Sequence, residues 1–546
     1  MKTWKKYPAM AFTAVLLTAV ITACSSYLEE DSRGQLTEEE AYATKNDILN
    51  NGVLAIYNYI GGHSDSQGLQ GTGRGVFDFN SLTTDEAIAP TRASDWYDGG
   101  FWETLFTHNW TPGTASMKDM WDYLYKVVMM TDKFIAKIEE RDDYPTDEDL
   151  VAYRAELRAV RAMYHFYIMD LFGNVPIVTT DDILTESIVQ SKRSEVFRFC
   201  VSELQEALPW LLEGKSNLLG ESYGRVTQPV AIFLLTKLMI NAEIYADDDW
   251  TDGVSVDGCS VTFNIDGMTM NAWDACEYYC EQLEYYDYKL EDQFEANFRV
   301  TNEYSSENIF TIPMDPVRYS NWFIYLFRSR HSSHGAALGG SSENGMSATL
   351  ELVNAFRYGQ PDEDPRFAHT FYADTVWENN KLVLLDDGVT PLVYYPLDVA
   401  LDVTATPHEK TAGARFHKYE PDPYANADGR ACNNDIVLFR YADVLLMKAE
   451  AQVRNGKDGS EALNAVRERV LLPPVTATLE NILNERYLEL AWEGWRRNDM
   501  VRFGIFTREY SDHAPSDTDL SGAANVFPIP ADIMTMHPSW KQNPGY

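Results

Sequence analysis

Hydrophobic residues recur at helical spacing toward both ends of the chain. In stretches such as 117 to 139 and 147 to 172 they return every three or four positions, which is the pattern of helices with a buried face. The fold is therefore expected to be mostly α. Helices are predicted near 38 to 60, 117 to 139, 147 to 172, 194 to 213, 227 to 246 and 271 to 285, with three more in 436 to 503.

Small residues between positions 435 and 470 indicate helices that pack closely together. Several alanines flank a turn bounded by Gly456 and Gly459. Such a pattern is typical of tetratricopeptide-type helix pairs, and its spacing here is irregular. We therefore expect a degenerate, tetratricopeptide-like helical repeat scaffold.

The helical spacing fades between residues 286 and 435. Short apolar runs alternate there with turn-rich segments such as HSSHGAALGGSSENG and YEPDPYANADGR. Function usually lies on such loops, because rigid elements hold them in place. Residues 286 to 435 are therefore expected to form an irregular, loop-rich subdomain.

The start of the chain has the features of an exported lipoprotein. Three lysines precede an apolar run from Ala9 to Ala23, which is too short to span a bilayer and is typical of a secretory signal. The run ends in Ile-Thr-Ala-Cys, the residue order of a bacterial lipobox. We expect residues 1 to 23 to be removed, Cys24 to be lipidated, and the acidic stretch 24 to 37 to serve as a flexible tether. An ordinary signal with an incidental cysteine is the alternative.

The charge of the chain argues against a nucleic-acid partner. The formal net charge is −38, and removal of the lysine-rich signal makes it more negative, so phosphate backbones are repelled. Aromatic residues make up 13% of the 546 positions. This excess leaves a carbohydrate-binding protein open, because sugar rings stack on exposed aromatic side chains.

The sequence gives little support for a metal or cofactor. Cys276 and Cys280 share a helix face, but no further His or Cys nearby completes a ligand set, so buried free thiols are expected. The acidic loop 247 to 253 does not match the spacing of a calcium-binding EF-hand. Calcium in this loop remains an alternative to a solvated turn.

The stretch NERYLELAWEGWRRNDMVRFG, residues 484 to 504, concentrates carboxylates, arginines and two tryptophans. Read as one helix, it places Glu485, Glu489 and Glu493 in a row that continues into arginines. A glycosidase needs two carboxylates that flank a sugar, one of them holding a proton. Carboxylates one helical turn apart beside arginines are instead expected to be ionised and paired, so this stretch is predicted to be scaffold.

Five segments, in order along the chain, carry the most specific motifs. They are LRAVRAMYHFYIMDLFGNVPIVT (157 to 179), SSENIFTIP (305 to 313), FRYADVLLMKAEAQVRNG (439 to 456), the stretch 484 to 504, and the terminal FPIP and QNPGY (527 to 530 and 542 to 546). Following a lipobox, they resemble successive signatures of the SusD/RagB family of outer-membrane lipoproteins.

This resemblance implies a fold, a location and a partner. The fold would be a helical scaffold with a binding loop in 38 to 285, the loop-rich ligand-binding subdomain in 286 to 435, and a C-terminal helical region in 436 to 546. The protein would be a non-catalytic, lipid-anchored glycan-binding subunit on the exterior of the outer membrane. It would capture an oligosaccharide or polysaccharide and deliver it to a SusC-like, TonB-dependent transporter. A peptide-binding subunit of a similar importer is the alternative, and a glycoside hydrolase a more remote one.

Two loops are the candidates for the ligand site. Residues 89 to 102 and 315 to 331 combine tryptophan and tyrosine with hydrogen-bonding neighbours, as sugar binding requires. The alternative is that these aromatic residues simply pack the loops. The predicted ligand-binding residues are Arg92, Asp95, Trp96, Tyr97, Arg318, Tyr319, Trp322 and Tyr325.

Overall fold

A computed structural model describes residues 37–62, 67–70, 73–179, 188–318, 328–425 and 431–546. The predicted signal, Cys24 and all but the last residue of the predicted tether lie outside these residues. Within the described ranges, no helix combines the length and apolar character needed to cross a membrane.

The described residues are mostly helical, as predicted. One segment, Leu49–Val53, is π-helical. The α-helices are α1 Glu38–Ala41, α2 Lys45–Ile48, α3 Leu54–Gly61, α4 Val76–Ser81, α5 Phe101–Phe106, α6 Ala115–Glu139, α7 Glu148–Phe172, α8 Arg193–Ala207, α9 Gln228–Ile240, α10 Ala242–Tyr245, α11 Ala272–Glu284, α12 Ser332–Ala337, α13 Leu350–Ala355, α14 Phe367–Thr370, α15 Tyr441–Arg454, α16 Ser460–Arg469, α17 Leu479–Glu489, α18 Arg496–Arg502, α19 Asp517–Leu520 and α20 Ala531–Met536.

The long helices stack on one another in pairs. Helix α7 packs against α6 and α8, α9 packs against α11, and α15 packs against α11, α16 and α17. This stacking confirms the helical repeat scaffold. Helix α7 begins where Asp147 accepts hydrogen bonds from the amides of Asp149 and Leu150, and ends at Gly173, whose φ is +68°.

The C-terminus of the chain completes the end of α7. The side-chain amide of Asn543 donates to the carbonyl of Phe172 at 2.6 Å and to that of Phe527 at 3.1 Å. Its side-chain oxygen accepts from the amide of Asn174 at 3.3 Å. Two main-chain groups at the helix end are thus satisfied by a residue about 370 positions later.

The strands are short and form antiparallel pairs. One pair, Asn308–Ile312 with Ile436–Arg440, is fully buried and joins the middle of the chain to its C-terminal helices. The pairs are β1 Ala87–Ile88 with β5 Ser347–Ala348, β2 Thr262–Ile265 with β3 Met268–Asn271, β4 Asn308–Ile312 with β12 Ile436–Arg440, β6 Phe371–Tyr372 with β11 Arg415–Phe416, β7 Asp374–Thr375 with β10 Val393–Tyr394, and β8 Trp377–Glu378 with β9 Lys381–Leu382.

Residues 436 to 503 differ from the prediction of three helices. Strand β12 comes first and four helices follow. The stretch 484 to 504 is not one helix, because α17 ends at Glu489 and α18 begins at Arg496. Between them Trp492 and Gly494 have φ values of +64° and +76°. The break buries Trp492 face to face on Phe416, with ring centroids 3.8 Å apart, and this packing outweighs the lost helical hydrogen bonds.

Candidate ligand-binding face

The carboxylates of the stretch 484 to 504 belong to a buried ion-pair cluster. Glu489 pairs with Arg366, Arg440 and Arg469, and all four side chains are buried. Burial would raise the pKa of Glu489, but these guanidinium groups hold it well below its usual value. A carboxylate that stays ionised and has no solvent access cannot donate a proton to a substrate, so this cluster is scaffold, as predicted.

The partners within this cluster differ from the predicted helical row. Arg496 pairs with Asp85 at 2.6 Å, and Arg497 pairs with Asp170 at 3.1 Å. The predicted row of glutamates running into arginines is therefore wrong, since the helix break turns each arginine toward a distant segment. Asp499 pairs with Arg502, three positions later in the same helix, at 2.9 Å.

The first candidate loop leaves the helical scaffold through strand β1. Ala87 pairs with Ala348 and Ile88 with Ser347, so the loop after β1 and the segment before β5 emerge side by side. The amide of Thr91 donates to the carbonyl of Leu401 at 2.8 Å. Residues 89 to 102 are thereby anchored to two other loop segments.

Arg92 is a structural residue of this loop. The expectation that the loop exposes Arg92 is wrong, because its side chain is buried. Its guanidinium donates to the carbonyls of Glu409 and Ala412 and to the hydroxyl of Ser347 at 2.9 to 3.0 Å. Burial, and then the nearby Arg415, lowers the pKa of Arg92 well below its usual value. These contacts hold the loop in place against the segments around Ser347 and Ala412.

Trp96 is half-buried, and contacts with the segment around Gly345 hold its ring in place. Its indole nitrogen donates to the carbonyl of Glu343 at 2.8 Å. A Cβ on Gly345 would lie 2.3 Å from Cζ2 of Trp96, so only glycine allows the chain to pass this close to the ring. The Trp96 ring also contacts Trp102, with centroids 5.5 Å apart.

Next to Trp96, the same loop carries further aromatic and charged groups. Tyr97 is 53% exposed, and Asp95 is exposed. The guanidinium of Arg74 lies 4.7 Å from the centroid of the half-buried Phe101 ring. Asp98 pairs with Arg74 at 2.9 Å and accepts a hydrogen bond from Trp102 at 2.8 Å. We call Trp96, Tyr97 and Phe101 the aromatic face.

The backbone beneath the aromatic face adopts an unusual conformation. Ala93, Trp96 and Asp98 have φ values of +57°, +62° and +44°, followed by Gly99 and Gly100 at +69° and +83°. Each non-glycine residue in this region costs about 1 to 2 kcal/mol. Strain of this kind persists where surrounding contacts impose it, and it clusters at functional sites.

The second candidate loop is described only at its two ends. The Arg318 side chain is 78% exposed, and its Nε lies 3.7 Å from Oδ2 of Asp315. Tyr319, Trp322 and Tyr325 lie outside the described residues. At the far end, the guanidinium carbon of Arg328 lies 5.8 Å from the Trp96 ring and 5.5 Å from the Trp102 ring. The end of the second loop therefore contacts the first loop, as the prediction of a shared site requires.

Several residues of this face were missed by the sequence analysis. Arg74, Trp102, Arg328 and Glu343 come from four segments, and no spacing along the chain connects them. Trp102 lies within the first predicted loop and Arg328 within the second, but neither was selected as a ligand-binding residue.

The expected thiols and the acidic loop can also be located. Cys276 and Cys280 are buried free thiols, as predicted. Cys200 and Cys432 are also buried free thiols, whereas Cys259 is exposed. In the acidic loop, Asp247 and Asp249 accept hydrogen bonds from the amides of Asp249 and Thr251. These contacts are those of a solvated turn.

Both the sequence and the fold resemble known proteins. A family model described as the SusD family matches residues 306–546, and one described as starch-binding, associating with outer membrane, matches residues 70–234. The starch-binding protein SusD of Bacteroides thetaiotaomicron is 23% identical over 516 residues, which cover 88% of this chain and 87% of that protein.

Two solved structures illustrate the shared fold. A laminarin-binding SusD-like protein is 21% identical, with 94% of this chain and 100% of that chain covered and a TM-score of 0.68. A SusD-like carbohydrate-binding protein of Bacteroides fragilis is 19% identical, with 92% and 99% covered and a TM-score of 0.70.

Proposed function

Since the chain belongs to the SusD family, we propose that it binds an oligosaccharide or polysaccharide at the bacterial surface without cleaving it. The aromatic face carries this proposal. A sugar ring needs a flat apolar surface below it and polar partners for the hydroxyls at its edge. Trp96 and Tyr97 supply the former, while Asp95 and Arg74 supply the latter.

The second part of the proposal concerns location and partner. The lipobox at Cys24 predicts a lipid anchor, and one matching family model is described by association with the outer membrane. A lipid-anchored protein facing the exterior would hold a captured glycan beside a SusC-like, TonB-dependent transporter and deliver it there. In this arrangement residues 38 to 285 and 436 to 546 form the scaffold, and residues 286 to 435 contribute to the ligand-binding surface.

The absence of catalysis is also part of the proposal. Relatives are named for the starch, laminarin or other carbohydrate that they bind. The carboxylates beside the aromatic face differ in surroundings from a hydrolase pair. Asp95 is exposed, Asp98 is ion-paired with Arg74, and Glu343 lies 3.9 Å from Arg328. The acid of a glycoside hydrolase lies instead in an apolar pocket.

Calorimetric titration of the mature protein tests this function. The ligands are α- and β-linked glucan oligosaccharides and a pool of oligopeptides. We expect saturable binding of a glycan by the wild-type protein. Trp96→Ala and Tyr97→Ala should each lower the glycan affinity about tenfold or more, taking stacking on protein aromatics as the guide. Trp210→Ala is the matched control, because Trp210 is 54% exposed on the scaffold.

Melting curves recorded alongside separate binding from packing. If Trp96→Ala binds poorly and also melts early, the tryptophan packs the loop and the aromatic face is not the site. Binding of peptides with no binding of glycans would support a peptide importer instead. Release of shortened glycans would identify a hydrolase.

A further inference from the structure

His108, just after α5, meets two residues that lie about 400 positions later in the chain. The ligating atoms of His108, His513 and Asp519 all lie within 4.8 Å of one another. All three side chains are fully buried. Among the described residues, this is the group of three His, Cys, Asp or Glu side chains whose ligating atoms lie close enough together to hold one metal ion.

Each of the two imidazole rings places one nitrogen beside a main-chain carbonyl and the other toward Asp519. His108 places Nε2 2.8 Å from the carbonyl of Thr83, and His513 places Nδ1 3.0 Å from the carbonyl of Phe106. A nitrogen beside a carbonyl donates its N–H to that carbonyl, so the other nitrogen of each ring is the one that can bind a metal ion. Both of these inner nitrogens face Asp519, at 2.6 Å and 3.7 Å from its two carboxylate oxygens.

A hydrogen bond between His108 and Asp519 satisfies only part of this cluster. Nδ1 of His108 lies 2.6 Å from Oδ1 of Asp519. Nε2 of His513 faces the same carboxylate and has no hydrogen-bond partner among the described residues. A buried acceptor left without a donor costs about 1 to 3 kcal/mol.

We propose that His108, His513 and Asp519 bind a divalent metal ion of the zinc class. Two imidazole nitrogens and a carboxylate are typical ligands of such an ion, and the second nitrogen of a metal-bound histidine usually donates to a carbonyl, as both do here. Ligands about 2.0 to 2.1 Å from a tetrahedral ion lie about 3.3 Å apart, between the two observed separations. One coordination position remains for water or the second carboxylate oxygen.

Asp519 is also fixed by contacts outside the cluster. The amide and the hydroxyl of Ser516 donate to its Oδ2 at 2.9 Å and 2.8 Å. These bonds hold the carboxylate in place and leave Oδ1 directed at His108. The ligands are thus oriented by contacts that do not depend on the ion.

The position of the site indicates what the ion would do. His108 lies two residues after α5, which begins with Phe101 of the aromatic face, and His513 contacts the last residue of α5. The other two ligands come from the C-terminal segment around α19. The ion would fasten this segment to the base of the ligand-binding loop, about 400 residues away in sequence.

Metal content and thermal stability of the mature protein test the site directly. The affinity tag is removed first, because polyhistidine itself binds zinc. We expect about one zinc per chain by mass spectrometry after dialysis, and a lower melting temperature after chelation. Adding Zn²⁺ at a hundredfold excess over its dissociation constant should restore about 2 to 3 °C for a chain of this length. Co²⁺ at the site should show visible d–d absorption.

Two variants and one control assign the effect to these residues. His513→Gln and Asp519→Asn should lose both the bound zinc and the response to added Zn²⁺. The control is His165→Gln, because His165 is also fully buried but contacts the main chain of Arg161 and Val178. It should keep one zinc per chain.

Two results would overturn the proposal. One is a wild-type protein with no bound metal and no change in melting temperature on adding Zn²⁺, Co²⁺ or Ni²⁺. This result would mean that the cluster is a hydrogen-bonded His–Asp pair. The other is zinc binding that His513→Gln and Asp519→Asn both retain. Neither result bears on glycan binding, which is measured separately.

Discussion

Replacing Glu493 by alanine should destabilise the protein without changing its affinity for ligand. Glu493 is buried and its carboxylate accepts hydrogen bonds from Arg440 at 2.7 Å and 2.9 Å and from the ammonium of Lys418. The substitution removes one negative charge and leaves two buried cations. Arg440 keeps Glu307 and Glu489 as partners, whereas Lys418 keeps hydrogen bonds to the carbonyls of Glu489 and Ala491.

The size of the effect follows from these contacts. Removing one partner of a buried ion pair costs about 2 to 5 kcal/mol, since the other charge stays buried. The unfolding entropy of a chain of this length corresponds to about 1 kcal/mol per °C. The melting temperature should therefore fall by about 2 to 5 °C at pH 7.

The dependence on pH identifies the cause. Burial lowers the pKa of Lys418 to about 8, and Glu493 opposes this shift. Without Glu493 the pKa of Lys418 falls further. A lysine whose pKa is lower in the folded state destabilises the fold at low pH, and this penalty disappears as pH rises from the folded pKa toward 10.5. The difference in melting temperature between wild type and Glu493→Ala should therefore become smaller between about pH 7 and pH 9.

Melting curves and calorimetric titration at both pH values are the assay. Glu206→Ala is the matched control, because Glu206 also pairs with an arginine but its side chain is 60% exposed. That variant should melt within about 1 °C of wild type. An unchanged melting curve for Glu493→Ala, combined with loss of ligand binding, would refute the assignment of this cluster to the scaffold.

Three further predictions concern the anchor, a buried acid and the second loop. Cys24→Ser should release the protein from the membrane fraction with the fold intact; retention in the outer membrane would contradict the lipobox. Burial raises the pKa of Glu86 to about 8, so its stabilising effect is complete below the unfolded pKa of about 4.5 and is lost as pH rises toward 8. Glu86→Gln should therefore stabilise the fold by about 2 to 4 kcal/mol at pH 8 and have little effect near pH 4.5. An equal rise in the melting temperature at both pH values would refute this. Trp322→Ala should lower glycan affinity about tenfold, and the double variant with Trp96→Ala further, if the two loops share one stacking surface; normal affinity in Trp322→Ala would exclude it.

Periodicity predicted the scaffold because helix packing repeats locally along the chain. It did not predict the break at Trp492, where contact with Phe416 from a distant strand overrides the local helical pattern. Sequence analysis selected the loop of Trp96 and Tyr97 from its residue types. It could not distinguish exposed Tyr97 from buried Arg92, because burial of Arg92 depends on carbonyls more than 300 residues away. His108 and Asp519 were missed for the same reason.

The capping of α7 by Asn543 has a consequence for the order of folding. The carbonyl of Phe172, at the end of a central helix, accepts a hydrogen bond from Asn543, about 370 residues later in the chain. Long-range contacts of this kind form late, since a long loop must close first. The end of α7 would therefore be completed late in folding, after the C-terminal segment has docked.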